Sequence, residues 1–263
     1  MNTGKPHPVQ KACMNSSAVF ILRLNYYECS LLGEVLLIKA QNLIKKGYNV
    51  GMNELERMNK GLLHNFINSP EMDCLKQQAK DLLLQFNDPC TSPETRQMIQ
   101  KELFGTMDGY CLIMPPFRCE YGRFIHMGRM SFINYDCMVL DGCDIRIGSN
   151  VYIGPRTIIS TASHPVYAPV RVECYGIHEP ITIEDNVWIG AGWIILPGAH
   201  IGRNSVIGAG SIVVKKHPIP SDCIAYGNPC KVARQIQDSD KQYWEALKAE
   251  YLESEGIGHE THE

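Results

Sequence analysis

The chain is written on a six-residue register. Aliphatic residues recur at Ile147, Ile153 and Ile159, then at Ile183, Ile189, Ile195, Ile201, Ile207 and Val213, and glycine follows five of them, at Gly148, Gly154, Gly190, Gly202 and Gly208. A weaker set runs through Met127, Ile133 and Val139 before a two-residue slip. A short fixed period predicts a parallel β-helix, in which each six-residue unit supplies one strand and one corner, and three units close a triangular coil. The aliphatic side chain points into the prism and stacks on its counterparts in neighbouring coils, at the ~4.8 Å spacing of paired strands. A small residue follows because the corner brings backbones close together. A β-sandwich would carry turn signals every ~8–12 residues without holding a register. Here six aliphatics from Ile183 to Val213 hold it unbroken.

The register breaks after Ser160, where "TASHPVYAPVRVECYGIHEP" (161–180) has three prolines, two histidines and no hexad. An insertion of this length in a compact repeat domain is usually functional, and it is expected to project from the coil. Before the coil, the segments beginning at Met52, Cys74 and Ser92 read as short amphipathic helices, the last opened by Ser92, Pro93 and Glu94 as N-cap, first-turn proline and acid. They suit a cap on the apolar end of the coil. After it, a helix from Asp238 aligns Tyr243, Trp244, Leu247 and Tyr251 on one face, predicting that it packs on the protein, with a frayed tail from Gly256. The expected organisation is an N-terminal extension (1–51), either loosely attached or a packing or regulatory segment, a helical cap (52–108), a β-helix (109–235) with its projecting loop, and a C-terminal helix and tail (236–263).

Charge and cysteine usage narrow the function. A net charge of -3 without any long Lys/Arg run leaves no electrostatic footprint for nucleic acid or an anionic membrane. The most apolar stretch, from Ala18, is interrupted by Arg23, Glu28, Glu34 and Lys39, so it offers neither a membrane span nor a secretory signal. Eleven cysteines form an odd set with no CxxC pair, which predicts reduced thiols and a cytoplasmic protein. Small-molecule chemistry is the expectation.

Four segments carry a specific resemblance: "PPFRCEYGRFIHMGRMSFINYD" from Pro115, "STASHPV" from Ser160, "PITIEDNVWIGAGWIILPGAHIGRNSVIGAGSIVVKK" from Pro180 and "AYGNPCKVAR" from Ala225. From about Met52 to Arg234 the chain resembles the maltose and galactoside acetyltransferases. That resemblance implies a left-handed β-helix, a homotrimer, acetyl-CoA as donor and an active site shared between neighbouring subunits. Acyl transfer to a hydroxyl needs a base at the hydroxyl, because an alcohol is a poor nucleophile until its proton is being taken. His164 fills that role in the family's "SHPV", and Pro165 restricts its backbone. Asn134 of "INYD" is implied to face the reacting centre.

On the donor side, the position after "WIG" is Ala191 where serine is frequent, so only its backbone N–H can act on an oxyanion. Trp188 either walls the donor channel or packs between subunits. The resemblance carries over Ala209 for the pantetheine arm and Lys215, Lys231 and Arg234 for the phosphates. Lys231 stands where arginine is commoner, keeping charge and losing the bidentate fork. On the acceptor side, the family's acid and arginine have no counterpart in "LLHNFINSPEMDCLKQQ", which offers Lys76 instead. Glu120, Tyr121 and Asp141 complete the candidates for hydroxyl contacts.

Alternatives on the same fold remain open. A zinc-dependent hydratase requires three converging histidines, and the spacing of His126, His164, His178, His200 and His217 suggests no such cluster, so no metal is expected. A non-catalytic trimeric scaffold would keep the repeat without the chemistry. An amino-sugar or antibiotic acetyltransferase would use the same base.

Overall fold

A computed structural model describes residues 51–67 and 69–255; the expected extension, apart from Gly51, and the expected tail from Gly256 lie outside the described residues. The hexads form a triangular prism with three parallel walls. The first wall holds Thr106–Met107, Ile125–Met127, Ile145–Ile147, Ile181–Ile183 and His200–Ile201. The second holds Leu112–Ile113, Phe132–Ile133, Tyr152–Ile153, Trp188–Ile189, Val206–Ile207 and Cys223–Tyr226, and ends in an antiparallel strand, Lys231–Gln235. The third holds Phe117–Cys119, Cys137–Leu140, Ile158–Ser160, Ile194–Ile195 and Ile212–Val213.

The register of the strands is the register of the repeat. Ile147 pairs with Ile183, and Ile183 with Ile201; Ile153 pairs with Ile189, and Ile189 with Ile207; Ile159 pairs with Ile195, and Ile195 with Val213. All are buried in one continuous core, each contributing roughly 1.5–3 kcal/mol of transfer free energy. The residues two before them form a second inward column, where Trp193 is fully buried between Thr157 and Ser211. Gly154 illustrates the demand for glycine: a Cβ there would overlap the Gly190 carbonyl oxygen and lie 2.5 Å from its carbon. At another corner Asn150, Asn186, Asn204 and Asp222 take left-handed φ of 56–60°, which Asn and Asp tolerate best. Their side chains form a ladder with bonds of 3.0, 2.9 and 2.8 Å.

The slips in the register all fall where the chain passes from the third wall to the first. Cys119 to Met127 and Val139 to Ile147 each span eight residues rather than six, and the loop 161–180 is inserted at the same corner one coil on. Excess backbone therefore accumulates along one edge of the prism. Helices α1 (Glu54–Asn59), α2 (Pro70–Phe86) and α3 (Pro93–Leu103) lie at the start of the coil, where Ala79, Phe86, Ile99 and Leu103 join its core. Ser92 caps α3 by accepting from the Thr95 N–H at 3.2 Å.

Four findings correct or add to the expectations. The first helix does not run through "LLHNF": Gly61 takes φ +64° after the Lys60 cap, and His64–Asn65 becomes a strand paired with Tyr175–His178. A short helix α4 (Ala168–Arg171) lies inside the loop. In α5 (Asp238–Ser254) none of the residues is buried, and Tyr243, Trp244, Leu247 and Tyr251 stay 40–67% exposed, so their stripe is not packed on this chain. Among the described residues eight cysteines are free thiols, whereas Cys74 is disulfide-bonded, against the expectation of thiols throughout.

Candidate active site

The loop turns its two ends into a hairpin. Ala162–Ser163 pairs antiparallel with Tyr175–His178, which in turn pairs with His64–Asn65 of the cap. His164 follows directly on the outgoing strand. Its Nδ1 lies 3.3 Å from the Tyr175 carbonyl oxygen, and its ring meets Phe66 edge-on at 5.5 Å. A carbonyl oxygen only accepts, so Nδ1 carries the hydrogen and Nε2 keeps a free lone pair. That tautomer suits a base whose working nitrogen is Nε2 and whose ring is exposed.

The floor of the hairpin is packed and polar. His178 is buried, stacks on the His64 ring at 5.1 Å, and places Nδ1 2.9 Å from the Thr161 hydroxyl. That hydroxyl also lies 2.9 Å from the Leu140 carbonyl and accepts from the Gly142 N–H at 3.0 Å. The ring has room only because residue 142 is glycine: a Cβ there would overlap Cε1 and Nδ1 of His178 and lie 2.5 Å from Nε2. Burial first, then the neighbouring His64, His164 and Lys76, push His178 down to about 4, so it is neutral at ordinary pH. Burial also lowers His64, whose Nδ1 lies 3.2 Å from the Leu62 carbonyl.

The slipped corner supplies the remaining groups. Asp141 is fully buried, and its carboxylate accepts the N–H groups of Glu120 at 3.1 Å, Tyr121 at 3.0 Å and Phe124 at 3.3 Å. Burial outweighs those bonds and pushes it up to about 6. As placed, Asp141 shapes the backbone of this corner and offers no free oxygen to an acceptor. Tyr121 is buried beneath Lys76, and burial raises its phenol well above the usual range. Lys76 pairs with Glu120 at 3.0 Å, so the two act as one ion pair beside the histidines.

Asn134 and the donor candidates sit elsewhere. Asn134, Ala191 and Ala209 occupy the corner between the second and third walls, at the opposite edge of the third wall from His164. There the ladder takes the Gly190 and Gly208 N–H groups, bonded to Ile207 and Ala225. The next amides, of Ala191 and Ala209, have no acceptor among the described residues. Trp188 stands outward on the second wall, 56% exposed. Lys215 lies on the histidine edge, paired with Glu179 at 2.6 Å. Lys231 is exposed on the last strand, while Arg234 is held bidentate by Asp240 at 2.6 and 2.8 Å. One chain thus groups Lys76 with Glu120 and Tyr121, has both Lys76 and His164 acting on His178 between them, and leaves Asn134, Ala191 and Ala209 apart. Among the described residues no three metal-ligating side chains converge. Sequence reasoning missed Thr161, Gly142 and the His64–His178 stack, because strand pairing across the fold assembles them and no local motif does.

Comparison with known proteins bears on this arrangement. Residues 57–109 match the maltose acetyltransferase hexapeptide capping motif, and residues 180–215 match the bacterial transferase hexapeptide (six repeats). A galactoside O-acetyltransferase of Lactococcus lactis subsp. lactis (strain IL1403) is 42% identical over 167 residues, covering 63% of this chain and 80% of that protein. The chain belongs to the galactoside and maltose O-acetyltransferase family. Among solved structures, a maltose O-acetyltransferase from Clostridium difficile 630 aligns with this acetyltransferase at TM-score 0.68 and 41% identity, over 71% of this chain and 98% of that one. A galactoside acetyltransferase in complex with coenzyme A aligns at TM-score 0.68 and 37% identity, over 73% and 94%. The fold is the hexapeptide β-helix of these acetyltransferases.

Proposed function

We propose that this acetyltransferase moves the acetyl group of acetyl-CoA to a hydroxyl of a small sugar-like acceptor, with His164 as general base, at a site completed by a neighbouring chain of a homotrimer. The observation that carries the reading is the His164 ring itself, exposed at the slipped edge with Nδ1–H directed at the Tyr175 carbonyl and Nε2 left free. Nε2 takes the acceptor proton as the hydroxyl oxygen bonds to the thioester carbon. The C–S bond then breaks, and the coenzyme leaves as a thiolate that recovers the proton. The free amide of Ala191 suits a donor to the carbonyl oxygen, and that of Ala209 suits a contact to the pantetheine arm. Of the three cations proposed for the phosphates, Lys231 is the one without an ion pair among the described residues; Lys215 would have to leave Glu179, and Arg234 would have to leave Asp240.

The walls support the trimer. The outward row of the second wall is apolar, with Leu112, Phe132, Tyr152, Trp188, Val206 and Ile224, and the third wall, after an exposed Arg118 at its start, presents Met138, Ile158, Ile194 and Ile212. The first wall is polar, with Thr106, His126, Arg146, Thr182 and His200. Two adjacent apolar walls on one prism favour association through those walls. Their shared corner carries Asn134, Ala191 and Ala209, and the proposal places the neighbouring copy's histidine edge against it. The described residues contain no helix long and apolar enough to cross a membrane. Eight free thiols favour a reducing, cytoplasmic setting, although the Cys74 disulfide points the other way.

The test is thiol release from acetyl-CoA against a panel of sugars, amino sugars and small antibiotics, with wild type and His164→Ala. Acceptor-dependent release that falls about 10²-fold or more in the variant supports the base, and the panel names the acceptor class. Release indifferent to His164 removes it.

A further inference from the structure

The loop bearing His164 leaves the coil at Thr161 and returns at His178, and these two residues touch each other. Proton counting at the Thr161 hydroxyl fixes the direction of every bond there. The Gly142 N–H donates to it and the Leu140 carbonyl accepts, so its single hydrogen goes to Leu140 and its remaining lone pair receives Nδ1–H of His178. The backbone repeats the closure, with the Glu179 N–H donating to the Thr161 carbonyl at 3.0 Å and Ala162 in register with His178. The other face of the ring rests on His64, which belongs to the strand that extends the hairpin through the cap.

We infer that His178 is a positioning residue for the base: clasped by Thr161 and stacked on His64, it fixes the strand whose Tyr175 carbonyl sets the tautomer and aim of His164. The inference rests on His164 as the base, and it makes His178 neither a ligand of substrate nor a proton carrier. Tyr175 is three residues back along the short strand that His178 ends. A strand of four residues held at one end by a buried side-chain bond has little freedom at the other. The clasp works only with a neutral ring, because an imidazolium would be buried without an anionic partner. The charged and titratable groups around it are His64, His164 and Lys76, each of which disfavours a positive charge on His178, with Glu120, Glu54 and Arg57 acting on His64 beyond.

The experiment compares His178→Leu, which removes the donor, with His178→Asn, which keeps an N–H near the position of Nδ1 and cannot titrate. The readouts are kcat and KM for acetyl-CoA at pH 8, together with the ¹⁵N resonances of the His164 ring. In wild type His164 is expected as the Nδ1–H tautomer. His178→Leu is expected to lower kcat about 10- to 100-fold, the scale of a slightly misplaced catalytic group, with KM for acetyl-CoA nearly unchanged and the His164 tautomers mixed. His178→Asn is expected to restore most of kcat and the single tautomer. If His178→Leu does not fold, Thr161→Val against Thr161→Ser poses the same question from the other side of the bond. An unchanged kcat and tautomer in His178→Leu, or equal damage in both His178 variants, overturns the inference. Failure of the base reading is a separate outcome: His164→Ala would stay active whatever the ring resonances of the His178 variants.

Discussion

Gly142→Ala places one methyl group against a ring held by the Thr161 bond and the His64 stack. The added Cβ would overlap two atoms of His178 and sit 2.5 Å from Nε2, where contact between non-bonded heavy atoms needs about 3.5–4.0 Å. The ring must therefore retreat by more than about 1 Å, toward a His64 ring that is itself 1% exposed. Such a retreat breaks the 2.9 Å bond to Thr161. Overpacking costs about 1–3 kcal/mol, and a buried donor left without its acceptor costs about 1–3 kcal/mol more, giving roughly 2–6 kcal/mol. Gly142 is not in the left-handed region, so no backbone strain enters. Urea denaturation at one fixed protein concentration measures the loss, first in wild type and then in a His178→Ala background where the obstacle is gone. The cost is expected to shrink by at least about 2 kcal/mol in the second background, a coupling typical of residues in direct contact. An equal cost in both backgrounds would refute the steric account.

Other expectations follow from the same structure. Trp193→Ala empties a fully buried site beside Thr157 and Ser211 and should cost about 3–5 kcal/mol; it should also strip the blue part of the emission, since Trp188 and Trp244 are more than half exposed, and an unshifted spectrum would contradict that burial. Asp141 and His178 oppose each other in pH dependence. Asp141, raised to about 6, contributes stability present at acid pH and lost as pH rises through about 6, whereas His178, lowered to about 4, contributes stability present above its ordinary value and lost as pH falls from about 6.5 toward 4. Asp141→Asn should thus make stability fall more steeply on acidification from pH 6.5 to 4, and His178→Asn should make it rise; denaturation midpoints across that range check both, and slopes matching wild type in both variants would sink the assignment.

The prism was legible in the sequence because its period is the physical repeat: one inward aliphatic per wall, and small residues where corners touch. The ladder of Asn150, Asn186, Asn204 and Asp222 was equally present in the spacing but went unread, since it shows only once left-handed corners are stacked. His164 was reached through its motif and the break in register. The polar floor beneath it was not, because His64 and His178 meet only when a strand of the cap crosses to the hairpin. Asp141 looked like a free acid beside an acceptor, and no sequence signal announced that three backbone amides of the slipped corner would enclose it. The stripe on α5 read as a packing face, but amphipathic periodicity does not say which surface receives it.

The account turns on a site made from His164 of one chain and Asn134 of the next. Chains carrying His164→Ala and chains carrying Asn134→Ala, each assayed alone for acceptor-dependent thiol release, should be nearly inactive. Unfolded and refolded together in equal amounts, they should recover activity, because about a quarter of the interfaces in randomly mixed cyclic trimers join an intact histidine to an intact asparagine. No recovery on mixing, with both variants folded and trimeric, would contradict the shared site.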